Sequence, residues 1–533
     1  MLTNKKTLLA LSVASVFVLS GCNDNDKDVV PPVVVPPVVV APDAPTELSV
    51  VVNANVVDSV TNDAIAAKVT FFENGVASEN IVDVDGNELT SVDLADGSLA
   101  FTVKDDANIS EVTVNVSADD YIGKSFIVDL TTAEGVMSVN ALLALVSESA
   151  DGISNKSVVS TVEAGGTTSA VISAATDPGK SSASASVPAG VILYDASEQP
   201  VSGEITLKVN GADSSTGAAS SIVPAGLNNA DATSIVKSVG VANVTMADGT
   251  GKKVKKFSDP ITVSMTIPAT TMLNGEAIQP GDMLGLKSHN EDTGVWASET
   301  NKVEVGALNA QTNTYTGTFK TTHLTFFAST VSAPICTDGI AVNLSGDAVP
   351  ASGLYVSMSS SDASATSYLR ANAASNVIVS PLNTKRFGIS ANAKATVKVF
   401  DVNGTPWFTS DGEVNVCGTA AVVLANPATL VNEDFAVTAA CANDTTKTVD
   451  MSNAVVSYSL AGKAKTLASG TAGTFTLADL VEGSTYNVFV NARTPLVGDT
   501  TKATTTITAD GTAESLALEV VCQTTTGTTG SGS

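Results

Sequence analysis

Histidine is nearly missing from this chain: His289 and His323 are the only two in 533 residues, which excludes multi-histidine metal chemistry and leaves little for a hydrolytic triad. Charged residues make up 15% and aromatic residues 5%, and the helix-favouring Leu, Glu, Lys and Arg are sparse. Two tryptophans, Trp296 and Trp407, and seven tyrosines offer few stacking platforms for sugar rings. No Gly-rich phosphate loop, Gly-x-Ser-x-Gly elbow or His-Glu-x-x-His segment occurs. Paired carboxylates for glycoside hydrolysis are not testable by spacing, so a polysaccharide-active enzyme stays as the lesser alternative to a non-enzyme. What the chain does have is Ser, Thr, Val, Ala, Gly and Asn, a balance that favours strands and turns. Its 44% of apolar residues suffices for a core in each of several domains. The formal charge of −27 disfavours nucleic acid as a partner and serves solubility.

The amino-terminal segment gives the location. Lys5 and Lys6 precede an apolar stretch, Leu8 to Ser20, too short to span a bilayer. Leu19-Ser20-Gly21-Cys22 follows and resembles a bacterial lipobox. That resemblance implies cleavage of a signal peptide (1–21) and acylation of Cys22, hence a membrane partner reached through lipid. The mature chain then loses the two positive charges of Lys5 and Lys6, and its formal charge becomes −29. Asn23, rather than Asp, follows the cysteine, and the family's sorting rule then implies the outer membrane, at the cell surface or the periplasmic face. Residues 22–45 read as a tether, because the paired prolines of VVPPVVVPPVVVAP forbid helix and favour extended chain. Asn23 to Pro42 would reach some 60 Å at about 3.1 Å per residue.

Residues 46–146 show short alternating strands broken by the turn signals DVDGN (Asp83 to Asn87) and ADGS (Ala95 to Ser98). Leu48 to Val57, Ala66 to Phe72 and Glu111 to Val116 read as strands. The order of these strands, with Asp120-Tyr121 before a last one, resembles the carboxypeptidase regulatory-like, transthyretin-like sandwich. Asp83, Asp85 and Glu88 lack the full ligand set of a calcium loop, so a hairpin turn is the expected reading.

Residues 147–332 contain PITVSMTIP, Pro260 to Pro268, whose strict alternation places Ile261, Val263, Met265 and Ile267 on one face of a half-buried strand. A turn, Asn290 to Gly294, then delivers Trp296, and Thr322-His323-Leu324-Thr325-Phe326-Phe327-Ala328 closes the region. The set resembles the module shared by ankyrins, netrin receptors and the autoproteolysis-inducing domain of adhesion receptors. Some members of that family cut themselves at His-Leu-Thr. The resemblance implies His323 as general base, Thr325 as nucleophile and the Leu324–Thr325 bond as target. Against this, a terminal strand with Leu324 and Phe326 alternating with Thr325 and Phe327 would serve packing alone, and the cysteines that brace the loop in adhesion receptors are missing here. The run Lys252-Lys253-Val254-Lys255-Lys256 reads as a solvated hairpin tip.

Four cysteines organise the rest. Cys336 to Cys417 and Cys441 to Cys522 each span 81 positions, and equal spans imply a duplicated domain, 333–422 and 437–524, each with its first strand stapled to its last. Pairing Cys417 with Cys441 would instead link the domains, and a four-thiol metal site lacks a Cys-x-x-Cys spacing. The second copy resembles fibronectin type III and regulatory-like sandwiches. Residues 525–533 read as a flexible tail.

The expectation is therefore an all-β chain of tandem β-sandwiches behind a lipidated tether, needing no cofactor or metal. It would act by binding, adhesion or envelope assembly on an unknown protein or polysaccharide partner, with self-processing at Leu324–Thr325 as an alternative.

Overall fold

The structure, a computed structural model, describes residues 37–132, 138–228, 234–362, 364–371, 376–379, 388–498 and 500–525. The signal segment, Cys22, the tether up to residue 36 and the tail from residue 526 lie outside them. The described chain is almost entirely β, arranged as four sandwich domains in tandem, with one short helix, Gly217–Ile222, capped by the Thr216 hydroxyl.

The first, third and fourth domains share one topology. In each, the first strand pairs antiparallel with a strand from the middle of the domain and parallel with the last long strand. Val51–Asp58 lies beside Ser98–Val103 and Ser138–Ser147. Ile340–Gly346 lies beside Asn376–Val379 and Gly418–Leu424. Leu430–Cys441 lies beside Thr474–Val481 and Glu514–Val520. A second antiparallel pair follows the same order: Ala67–Glu73 with Glu111–Ser117 and Leu354–Ser359 with Lys394–Phe400, each in a separate sheet, and Val455–Leu460 with Thr485–Leu496, in the fourth domain's one continuous nine-stranded sheet. The repeat is thus threefold rather than twofold, and the first copy has no cysteine in its described residues. Each copy fills its own core, around Phe71 and Phe101, Trp407 and Val422, and Phe435 and Leu477 respectively.

Both disulfides form within a domain, Cys336 to Cys417 and Cys441 to Cys522, with Cα separations of 5.6 and 5.4 Å. They are not equivalent positions. Cys336 and Cys417 precede the first and last strands, whereas Cys441 and Cys522 stand at their far ends. The equal spans have a geometric cause. In a parallel pair the register offset is constant, so facing residues are 78 apart in one domain (Ile340 and Gly418) and 79 apart in the other (Phe435 and Glu514) whichever end is stapled. The fourth domain also begins at Leu430, ahead of the 437 expected from the cysteines, and the third runs to Leu424, past the expected 422.

The second domain is a single twelve-stranded sheet folded over one core, in which Ile261, Val263, Met265 and Ile267 are all buried, as their alternation requires. Its lysine run leads from Ile235–Asp248 into Lys256–Pro268, with Lys252, Lys253 and Lys256 exposed as expected and three of its lysines closely ion-paired. Lys252, Lys255 and Lys256 stand 2.7, 2.7 and 2.6 Å from Asp195, Asp292 and Glu198.

The domains do not form an open string. The first packs against the other three. It shares a small core with the second through Ile122, Val146, Ile222 and Phe326. Gly294, in the turn before Trp296, approaches Thr113 so closely that a Cβ would lie 2.5 Å from its methyl group, and its φ of +71° also requires glycine. Toward the fourth domain, the buried Asn53 and Asn55 amides both donate to the Lys465 carbonyl, at 2.8 and 3.0 Å. Arg493 donates to the carbonyls of Val84 and Thr46, each at 2.7 Å. Asp85 of the DVDGN turn takes the Asn491 amide at 2.9 Å, so this turn makes an interdomain contact.

The tether and tail also depart from expectation. Val38–Val40 pairs antiparallel with Gln523–Thr525, and Val39 and Ala41 pack on the fourth domain's core. Val39 and Ala41 bury apolar surface there, while Val38 and Val40 stay exposed.

Candidate functional site

His323 is the last residue of Thr314–His323, and Phe326–Ala333 begins three residues later, so Leu324 and Thr325 form a break between two strands. The expected alternation across this segment does not occur. Leu324, Thr325, Phe326 and Phe327 are all buried, because Phe327 enters the second domain's core while Phe326 enters the core shared with the first. A strand covered on both faces has no polar side.

The geometry does not bring base and nucleophile together. The Thr325 hydroxyl donates to the backbone carbonyl of His289. The His323 ring faces elsewhere: Nδ1 is 3.1 Å from the Thr321 hydroxyl and Nε2 is 3.4 Å from Glu299. Glu299 in turn accepts from the Ser288 hydroxyl at 2.5 Å. None of residues 323–325 has a positive φ. In this arrangement the Thr325 hydroxyl and the His323 ring have separate hydrogen-bond partners.

The residue that sequence reasoning missed is His289. Its backbone pairs with Phe326, and its ring lies 5.2 Å from the Trp296 ring. Both ring nitrogens are buried without a hydrogen-bond partner of ordinary geometry. Burial lowers its pKa to about 4, the Gly294 backbone opposing the shift only in part. His289 is therefore a neutral aromatic filler at neutral pH. Trp296 completes the plug, its indole donating to the Ala225 carbonyl at 3.1 Å. No local pattern marks His289 as buried, because its environment comes from a strand 37 residues later.

Among the described residues no cluster of three or more His, Cys, Asp or Glu could hold a metal ion. Asp83, proposed above as a turn residue, accepts the Asp85 and Asn87 backbone amides at 2.9 and 2.8 Å. All four later cysteines are consumed in the two bridges. Cys22 lies outside the described residues.

No protein family matches the chain, and no curated protein matches it. Several solved structures are similar at low identity. The Bacillus anthracis TIE protein is 8% identical over 79% of this chain, which spans 56% of that protein's length, with a TM-score of 0.13. BcpA, the major pilin subunit of Bacillus cereus, is 11% identical over 88% of this chain and 99% of that one, with a TM-score of 0.14. The major pilin SpaD from Corynebacterium diphtheriae is 10% identical over 89% and 98%, with a TM-score of 0.15. Scores this low carry no argument about function. The class that the chain's own fold defines is a tandem β-sandwich protein with disulfide-stapled carboxy-terminal domains.

Proposed function

We propose that this protein is an outer-membrane lipoprotein, anchored through acylated Cys22, that works as a non-catalytic binding, adhesion or assembly module of the bacterial envelope. The observation that carries the reading is the run Leu19-Ser20-Gly21-Cys22 behind a basic start and a short apolar core. Two further features support it. Bridges between first and last strands suit an oxidising compartment outside the cytoplasm. The engagement of the Thr325 hydroxyl with His289 favours a structural use of the His-Leu-Thr segment over self-cleavage.

The docked strand Val38–Val40 gives the reading an orientation. On this reading the anchor meets the folded body at the fourth domain, which holds both Val38–Val40 and the strand Gln523–Thr525.

The test is fractionation of cells carrying the native chain or Cys22→Ala. The native protein is expected in the outer-membrane fraction and the variant in the soluble periplasmic or secreted fraction. Equal partition of the two would contradict the anchor. Added protease on intact cells then separates the faces: digestion marks the surface, protection the periplasmic side.

A further inference from the structure

A cleft of about 820 Å³ lies where the first three domains meet. Its floor is the outer face of a sheet of the third sandwich. Val356 and Met358 point into that domain's core, so Tyr355 and Ser357 on the same strand point outward. The strand register sets two rows across three strands: Tyr368, Tyr355 and Phe400 in one, and Thr366, Ser357 and Lys398 in the next. In an isolated sandwich this face would be open to water. Here the strand Lys124–Asp129 of the first domain and the helix Gly217–Ile222 of the second wall it in.

Three lysines line this cleft; Lys237 is paired with Asp362 at 2.8 Å, which leaves Lys124 and Lys398. Lys398 lies over the Phe400 ring at 5.4 Å, and Lys124 over the Phe126 ring at 5.3 Å, with its amine donating to the Ser221 carbonyl at 2.7 Å. Neither has a carboxylate partner among the described residues, although Asp and Glu outnumber Lys and Arg in the chain by 54 to 27. The cleft's own carboxylates are occupied or outlying. Asp129 accepts from Thr131, Asp213 from Ser215, Asp362 pairs with Lys237, and Asp151 is exposed. Deep placement lowers the Lys124 pKa to about 8, which still leaves it mostly charged at neutral pH.

An ammonium group withdrawn from water without a counter-charge is costly, and an anionic ligand would offset that cost. The row of hydroxyls beside Lys398 selects the rest of the ligand. An acyl chain laid across Thr366 and Ser357 would leave both unpaired, whereas a polyhydroxylated ring would pair with them, bordered by the aromatic row. We infer that the cleft binds a uronic-acid oligosaccharide, its carboxylates held by Lys124 and Lys398 and its ring hydroxyls by Ser357 and Thr366. The inference rests on the binding-module reading above and supplies its ligand class.

Calorimetric titration of the purified full chain with trigalacturonic acid, and with neutral galactotriose as control, tests it. The acidic trisaccharide is expected to bind one site about tenfold or more tightly than the neutral one, with affinity falling as salt is raised. Lys398→Met and Lys124→Met should each weaken it about tenfold, and Thr366→Val by a smaller factor. Lys398 and Thr366 sit on a solvent-lined face, so their variants keep the test open should Lys124→Met misfold. Absence of saturable binding, or unchanged affinity in Lys398→Met, would overturn the assignment. Neither result bears on the anchor, which fractionation reads without any glycan.

Discussion

Replacing Cys441 and Cys522 together by alanine is expected to destabilise the fourth sandwich by roughly 4–5 kcal/mol, the loop-entropy value for a closed loop of 81 residues. That is a large share of the stability of a domain this size. The bridge ties Leu430–Cys441 to the segment just after Glu514–Val520, the parallel pair at the centre of the sheet. The consequence should extend beyond the domain. Gln523–Thr525 follows Cys522 directly and holds Val38–Val40, so release of this end should free the tether as well. Hydrogen exchange resolved by peptide is the appropriate reading, because a four-domain chain has no single unfolding free energy. Protection should fall in Leu430–Cys441, in Thr474–Val481 and in Val38–Val40, while the second domain keeps its own. Unchanged exchange in the variant would show that the core around Phe435 and Leu477 suffices without the bridge.

The second large effect is a pH dependence centred on His289. An unfolded histidine titrates near 6.5, and burial holds this one at about 4 in the fold. Above pH 6.5 both states are neutral and folding carries no penalty. Between pH 6.5 and 4 the unfolded chain takes up the proton and the folded chain does not, so stability falls with pH across that window. The full loss is about 3 kcal/mol at 1.36 kcal/mol per unit. His289→Phe removes the titration while keeping an aromatic body beside Trp296. Urea unfolding followed by Trp296 fluorescence in a Trp407→Phe background should show the two proteins diverging by that amount as pH drops from 6.5 to 4. Parallel curves would mean that the ring is protonated in the fold.

Much of the strand pattern was legible because it is local. Strict alternation from Pro260 to Pro268 marked one strand, Lys256–Pro268, and the strands expected at Ala66 to Phe72 and Glu111 to Val116 appear at Ala67–Glu73 and Glu111–Ser117. The cysteine spans led to the pairing of first with last strands, yet not to the difference in which end is stapled, since a constant register offset hides it. The third copy of the topology was invisible because the first domain lacks the cysteines that mark the others. Contacts far apart in sequence were equally beyond reach. The hold of Asn53 and Asn55 on Lys465 crosses more than 400 residues, and no local periodicity encodes it. The His-Leu-Thr segment shows the same limit for function. A tripeptide can be read from sequence, but the partner of the Thr325 hydroxyl, the His289 carbonyl, is set by a neighbouring strand.

One mass measurement on the intact protein isolated from its membrane, without reduction and with free thiols alkylated, reaches the centre of the account. The predicted species is a single uncleaved chain starting at Cys22, carrying a diacylglyceryl group and an amide-linked acyl chain, with no alkylated cysteine. An unacylated start, alkylation at any of Cys336, Cys417, Cys441 and Cys522, or two fragments meeting at Thr325 would contradict it.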